Sequence, residues 1–144
     1  MPFTQVLHLL AAQLHLPSLA PDPDGSCALQ VGEVAVALLP HDERQGFALR
    51  CRIGNVAHEG HVAAMEALMA ANLFEDGPAS SVLGMDPGGD IYLLQHFRHA
   101  HFAAGPFMAA FERFIDRAHR WQAKLAQAAQ DHAQPPQAAG EVRA

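Results

Sequence analysis

The apolar residues of this chain change period several times, and each change marks an element. Phe3, Val6, Leu7, Leu10 and Leu14 fall three and four apart, which predicts a helix. Pro17 ends it, because the residue before a proline is pushed out of the helical region. Leu9 and Leu16 lie off that stripe, so the helix is apolar over more than one side. A loop dense in turn formers, Leu19 to Gly25, follows. The period then falls to two. Cys27, Leu29 and Val31 alternate with Ala28 and Gln30, Gly32-Glu33 makes a hairpin connection, and a second strand runs from Val34 to Leu39. That strand has Val34, Val36 and Leu38 on one face and Ala35, Ala37 and Leu39 on the other, so both faces are apolar and the strand is central or has its second face covered. After the polar turn at Pro40 to Gly46, Phe47, Leu49, Cys51 and Ile53 alternate with Arg50 and Arg52, the pattern of a half-buried strand.

The second half repeats the alternation of periods. A helix is predicted from about Gly60 to Leu73, with His61, Met65, Leu68, Met69 and Asn72 on one side. The stretches Ser81 to Met85 and Ile91 to Phe97 pair across Asp86-Pro87-Gly88-Gly89, where proline sets the turn and the glycines supply positive φ. The last helix carries Phe107, Phe111, Phe114, Ile115, Ala118 and Leu125, with Pro106 in its first turn. The expected fold is therefore α+β, in the order α-β-β-β-α-β-β-α, a twisted antiparallel sheet with three helices. After residue 129 the composition turns to Gln, Ala and Pro, which divides the chain into a domain at 1–129 and a disordered tail at 130–144.

Composition narrows what such a fold can do. A chain of 144 residues makes one domain, able to remove about 70% of its unfolded surface from water. The net charge of -6, with nine Lys and Arg scattered except for one group on the last helix, argues against nucleic acid, which calls for a clustered basic surface. The start lacks a basic leader and no apolar run is long enough to span a bilayer, so a cytoplasmic protein without membrane insertion is expected. Two cysteines, Cys27 and Cys51, read as reduced core thiols.

Candidate chemistry is sparse. Ten histidines are many, but His58 and His61 lack the four-residue spacing of a helical zinc pair. His96, His99 and His101 cluster without an adjacent Asp, Glu or Cys, so no metal and no cofactor are expected; a metal-dependent enzyme built on these three is the distant rival. Ser26, Ser80 and Ser81 stand outside any nucleophile elbow, and the acidic pairs Asp42-Glu43 and Glu75-Asp76 sit in predicted turns, so no enzyme is expected. Arg113, Arg117, Arg120 and Lys124 read as a solvated basic stripe suited to a helix C-terminus. Trp121 is either a partly buried cap or part of a contact. What stands out is surplus apolar surface on the first helix and second strand, which predicts a partner.

Five segments in this order resemble the class I type III secretion chaperones of the Tir chaperone (CesT-like) family. They are Leu14-His15-Leu16-Pro17, Asp24-Gly25-Ser26-Cys27-Ala28-Leu29, Ala71-Asn72-Leu73-Phe74, Leu83-Gly84-Met85-Asp86-Pro87-Gly88-Gly89 and the aromatic helix through Trp121. The resemblance spans about residues 3 to 125. It implies a non-enzymatic cytoplasmic homodimer of a Gram-negative bacterium that holds the N-terminal segment of a secreted effector extended and export-competent, and that deals with the export apparatus. It also implies a dimer interface on the second helix and neighbouring strands, here His61, Met65, Leu68, Met69, Asn72 and Leu73 with Leu83 and Leu93. The groove for the effector is expected between the first helix and the sheet, at Val6, Leu10, Ala35, Ala37, Leu39 and Phe47. The alternative is a regulatory module of the same fold that engages a folded regulator or export component.

Overall fold

A computed structural model describes residues 2–74 and 81–133. It contains α1 (Pro2–Gln13), β1 (Cys27–Val31), β2 (Val34–His41), β3 (Gly46–Asn55), α2 (His61–Phe74), β4 (Val82–Met85), β5 (Asp90–Arg98) and α3 (Ala104–Ala133), with short 3-10 turns before α2, after β2 and after β5. The strands form one antiparallel sheet in the order β1-β2-β3-β5-β4. Element order and class are those expected. Glu75, Asp76, Ser80 and the tail from 134 onward lie outside the described residues.

The end of α1 differs from expectation. The helix stops at Gln13, not at the residue before Pro17. His15 takes a left-handed φ of 57°, the Leu16 N–H donates to the Ala11 carbonyl at 2.8 Å, and the His15 N–H donates toward that of Ala12. This is a Schellman-type cap, in which two orphan carbonyls of the last turn find donors. At the other end of the chain, α3 runs to Ala133.

One face of the sheet is the core. Phe3, Val6, Leu7 and Leu10 of α1 and Phe107, Phe111, Phe114 and Ala118 of α3 pack on the inward residues of β1, β2, β3 and β5. Phe47 sits at the junction, its ring 6.0 Å from Phe3, 5.6 Å from Phe107 and stacked on Phe97 at 5.2 Å. Trp121 is buried with this cluster, under the Lys124 ammonium 4.5 Å from its ring, which settles it as core.

The β4–β5 turn rests on a carboxylate as well as on Pro87 and the glycines. Asp86 Oδ1 accepts from the backbone N–H of Gly88 at 3.0 Å and of Asp90 at 2.9 Å. Gly89 has φ 89°, and a Cβ there would lie 2.3 Å from the Val56 carbonyl oxygen, so only glycine fits.

α2 lies along the edge of the sheet, not on its face. Leu68 and Ala71 are buried, and the Asn72 amide donates to the Leu83 carbonyl and accepts from the Leu83 N–H, both at 2.8 Å. One side chain thus supplies the donor and acceptor that a neighbouring strand would offer, closing the β4 edge. A second tie comes from α3. Arg117, 1% exposed, donates to the Ser81 carbonyl, to Ser81 Oγ at 3.1 Å and toward the Ala71 carbonyl at 3.5 Å. It is therefore not part of a solvated stripe. Its position is legible in retrospect, since it stands three residues after Phe114 and four before Trp121, on the core side of the helix.

Two substitutions test this joint. Asn72→Ala leaves Leu83 without partners and should lower unfolding stability by about 1–2 kcal/mol. Arg117→Met removes the donors to Ser81 and Ala71 and should lower it by about 2–3 kcal/mol. Urea unfolding checks both; midpoints equal to wild type would show that α2 is held otherwise.

Candidate partner-binding surfaces

Three surfaces remain once the core is closed. The first is the outward side of α2. With Leu68 and Ala71 turned inward, helical geometry turns Val62, Met65, Met69 and Leu73 outward, at 65, 42, 72 and 71% exposure, and Val82 of β4 joins them at 52%. All five large hydrophobic side chains exposed among the described residues are these. The residues expected at a dimer interface therefore divide. Met65, Met69 and Leu73 lie on this stripe; Asn72 is turned to β4; Leu68, Leu83 and Leu93 are core; and His61 is half-buried, its Nε2 3.0 Å from the Val56 carbonyl oxygen.

The second surface is a groove where α1 ends, the β1–β2 hairpin turns and α3 passes. It is made of two adjoining depressions of about 580 and 180 Å³ that share Val31, Ile115 and Asp116. Leu14, Met108 and Phe111 extend its apolar floor, and Glu33, Glu112, Asp116, His119 and Arg120 rim it. Beside it runs β1, the terminal strand of the sheet, and among the described residues no backbone hydrogen bond reaches its outer edge. Sequence reasoning missed this site, because its floor is drawn from three separate elements. The mark it left was Leu14, Val31 and Ile115, apolar residues at the margins of their stripes and half-buried in the fold.

The groove residues expected from the sequence are not brought together. Val6 and Leu10 are 0% and Phe47 is 1% exposed, because the stripe of α1 faces the sheet and Phe47 is pinned between α1 and α3. Ala35, Ala37 and Leu39 lie on the opposite side of the sheet, Ala35 exposed and the other two half-buried.

That outer face is the third surface. Alternation puts Ala28, Ala35 and Ala37 of β1 and β2 beside Arg50 and Arg52 of β3 and Tyr92 of β5, around a shallow depression of about 500 Å³. Arg52 donates to Asp90 Oδ1 from Nη2 at 2.8 Å and from Nε at 3.2 Å, and Asn55 adds a bond at 3.0 Å. These bonds, Asn55 first and Arg52 second, hold the Asp90 carboxyl below the ordinary carboxylate range. Toward one end of the face His96 lies against His41 with its ring tilted by 55°, ring centroids 5.3 Å apart; burial, with Arg44 and His41 nearby, holds it below the usual imidazole value. His99 packs against the Phe47 ring and His101 is exposed. Among the described residues no three His, Cys, Asp or Glu side chains converge as a metal site, and no helix is long and apolar enough to cross a membrane.

The chain matches the model of the Tir chaperone protein (CesT) family over residues 5–122 and belongs to that family. The class is therefore a non-enzymatic secretion chaperone. Solved structures share the fold. A chain of the ExsC-ExsE complex aligns with 24% identity and a TM-score of 0.67, covering 83% of this chain and 90% of that one. A chain of the HopA1-SchA chaperone-effector complex aligns with 15% identity and a TM-score of 0.68, covering 84% and 93%. The Yersinia pestis type III secretion chaperone SycH, solved with a stable fragment of YscM2, provides a third, with 17% identity, a TM-score of 0.66 and coverage of 83% and 98%. Curated protein sequences yield no significant match.

Both cysteines are free and buried, on the core face of β1 and β3. Burial pushes the Cys51 thiol up to about 11 and, with Asp22 nearby, also raises Cys27. Both thiols therefore stay protonated at pH 8 and should not react with a disulfide reagent in the native protein, whereas two per chain react in guanidinium. A fast native reaction of either thiol would place it at the surface.

Proposed function

We propose that this protein is a type III secretion chaperone that, as a homodimer in the bacterial cytoplasm, binds the N-terminal chaperone-binding segment of a secreted effector and keeps it extended for the export apparatus. The observation that carries this reading is the apolar groove at Leu14, Val31, Phe111 and Ile115 beside the open edge of β1. An extended segment added to β1 gains backbone hydrogen bonds, and its apolar side chains fill the groove. Ordering a disordered client costs free energy, which a long wrapped contact offsets. Membership of the chaperone family and the chaperone-effector complex among the structures of like fold support it.

The α2 stripe with Val82 is the proposed dimer face. Each large apolar side chain it covers is worth about 1.5–3 kcal/mol on full burial, which favours a second copy over solvent. Capture uses no nucleotide and no covalent step, so release follows from competition for the same segment during export.

Two variants separate the parts. Met69→Glu combined with Leu73→Glu should yield a folded monomer by light scattering, where wild type has twice the chain mass. Ile115→Glu should keep the dimer mass but lose co-purification of the effector from the native bacterium. Hydrogen exchange on the captured client should protect an extended N-terminal stretch; a compact footprint on a folded protein would instead identify a regulatory module.

A further inference from the structure

The outer face of the sheet carries a charge opposite to that of the chain. Against a net charge of -6, strand alternation sets Arg50 and Arg52 of β3 and Arg98 of β5 on this side. Asp90 is the one carboxylate among the strand residues of this face, and it is already taken by Arg52. Asp42 and Glu43 lie beyond the strands, in the exposed turn that also holds Arg44.

The geometry fits an extended chain. Ala28, Ala35 and Ala37 make a floor without bulk, over which a backbone can lie close. Arg50 and Arg52 stand two residues apart on one strand, a spacing of about 7 Å, which is also the repeat of side chains along one face of an extended peptide. Both guanidiniums are held in place. Arg50 rests over the Tyr92 ring at 5.9 Å, and Asp90 engages Nε and Nη2 of Arg52 through one oxygen, leaving the Nη1 donors for a second partner.

We propose that this face docks an extended acidic segment of a partner protein, with carboxylates on alternate residues meeting Arg50 and Arg52. A short acidic segment needs only this local pair of cations. Nucleic acid would meet a long-range field of the wrong sign. The face lies across the sheet from the groove at Ile115, so the two sites stand or fall separately.

The test is fluorescence anisotropy of the full chain with a short labelled peptide of alternating Glu and Ala, and with its Lys-Ala counterpart. Wild type should bind the acidic peptide and not the basic one, more weakly at about 0.5 M salt. Arg50→Glu should weaken binding by about tenfold and Arg50→Gln by less, with unchanged melting, unchanged mass by light scattering and retained effector capture. The proposal is overturned if wild type does not bind the acidic peptide, if both peptides bind alike, or if Arg50→Glu binds as wild type. Preference for a short DNA strand over the peptide would overturn it in favour of a polyanion site. A change of mass in Arg50→Glu would overturn it in favour of a contact between copies.

Discussion

The two hydrogen bonds between the Asn72 side chain and the Leu83 backbone decide where everything else can go. A carboxamide sets an N–H donor beside a carbonyl acceptor much as a peptide group does, so a helix carrying it can stand where a sixth strand would. With α2 at the β4 edge and α1 and α3 on the core side of the sheet, the other side carries no helix among the described residues. The same placement turns Val62, Met65, Met69 and Leu73 outward, because a helix seated on an edge needs only a narrow inward stripe, here Leu68 and Ala71. Arg117 reinforces the joint from α3 by reaching the end of α2 and the start of β4 together. Of the two sheet edges, then, β4 is met by α2 and β1 is open among the described residues.

Most of the secondary structure was legible because each element answers to a single period. The alternation of Phe47, Leu49 and Cys51 with Arg50 and Arg52 can be satisfied only by a strand with one covered face, whereas the second apolar row of β2, Ala35, Ala37 and Leu39, lies on the outer face, where Ala35 is exposed. What periodicity does not encode is the identity of whatever covers a stripe. Val6 and Leu10 look the same in sequence whether they face a sheet or a client, and the sheet took them. The end of α1 was misplaced for a related reason: Pro17 forbids a helix beyond it, but the Schellman cap at His15 intervenes earlier. Arg117 was read from its charge when its register mattered more. The groove was invisible because Leu14, Val31 and Ile115 meet only through the tertiary fold.

Charge is sorted by surface. The groove rim is mainly acidic, with Glu33, Glu112 and Asp116 against His119 and Arg120, while the outer face is basic. Overall charge of -6 conceals this division, since it sums over both faces. Averages of this kind exclude a large basic surface and say nothing about a pair of arginines on one strand.

A fold with an open strand edge, an apolar groove and a greasy helix stripe is poised to aggregate unless those features are controlled. The features differ in how they are controlled, and the difference tracks their proposed uses. The α2 stripe has large side chains and little charge within it, which suits permanent cover by a second copy. The groove is shallow and rimmed mainly by carboxylates, and β1 beside it is only five residues long with Gln30 exposed, which limits pairing with stray strands while leaving room for a segment that also fills the groove. Cover of this second kind must be reversible, because a chaperone that bound its client as tightly as a core would never release it. Half-buried residues such as Val31 and Ile115, already packed on one side by the fold, offer a client only part of their area and so set that balance.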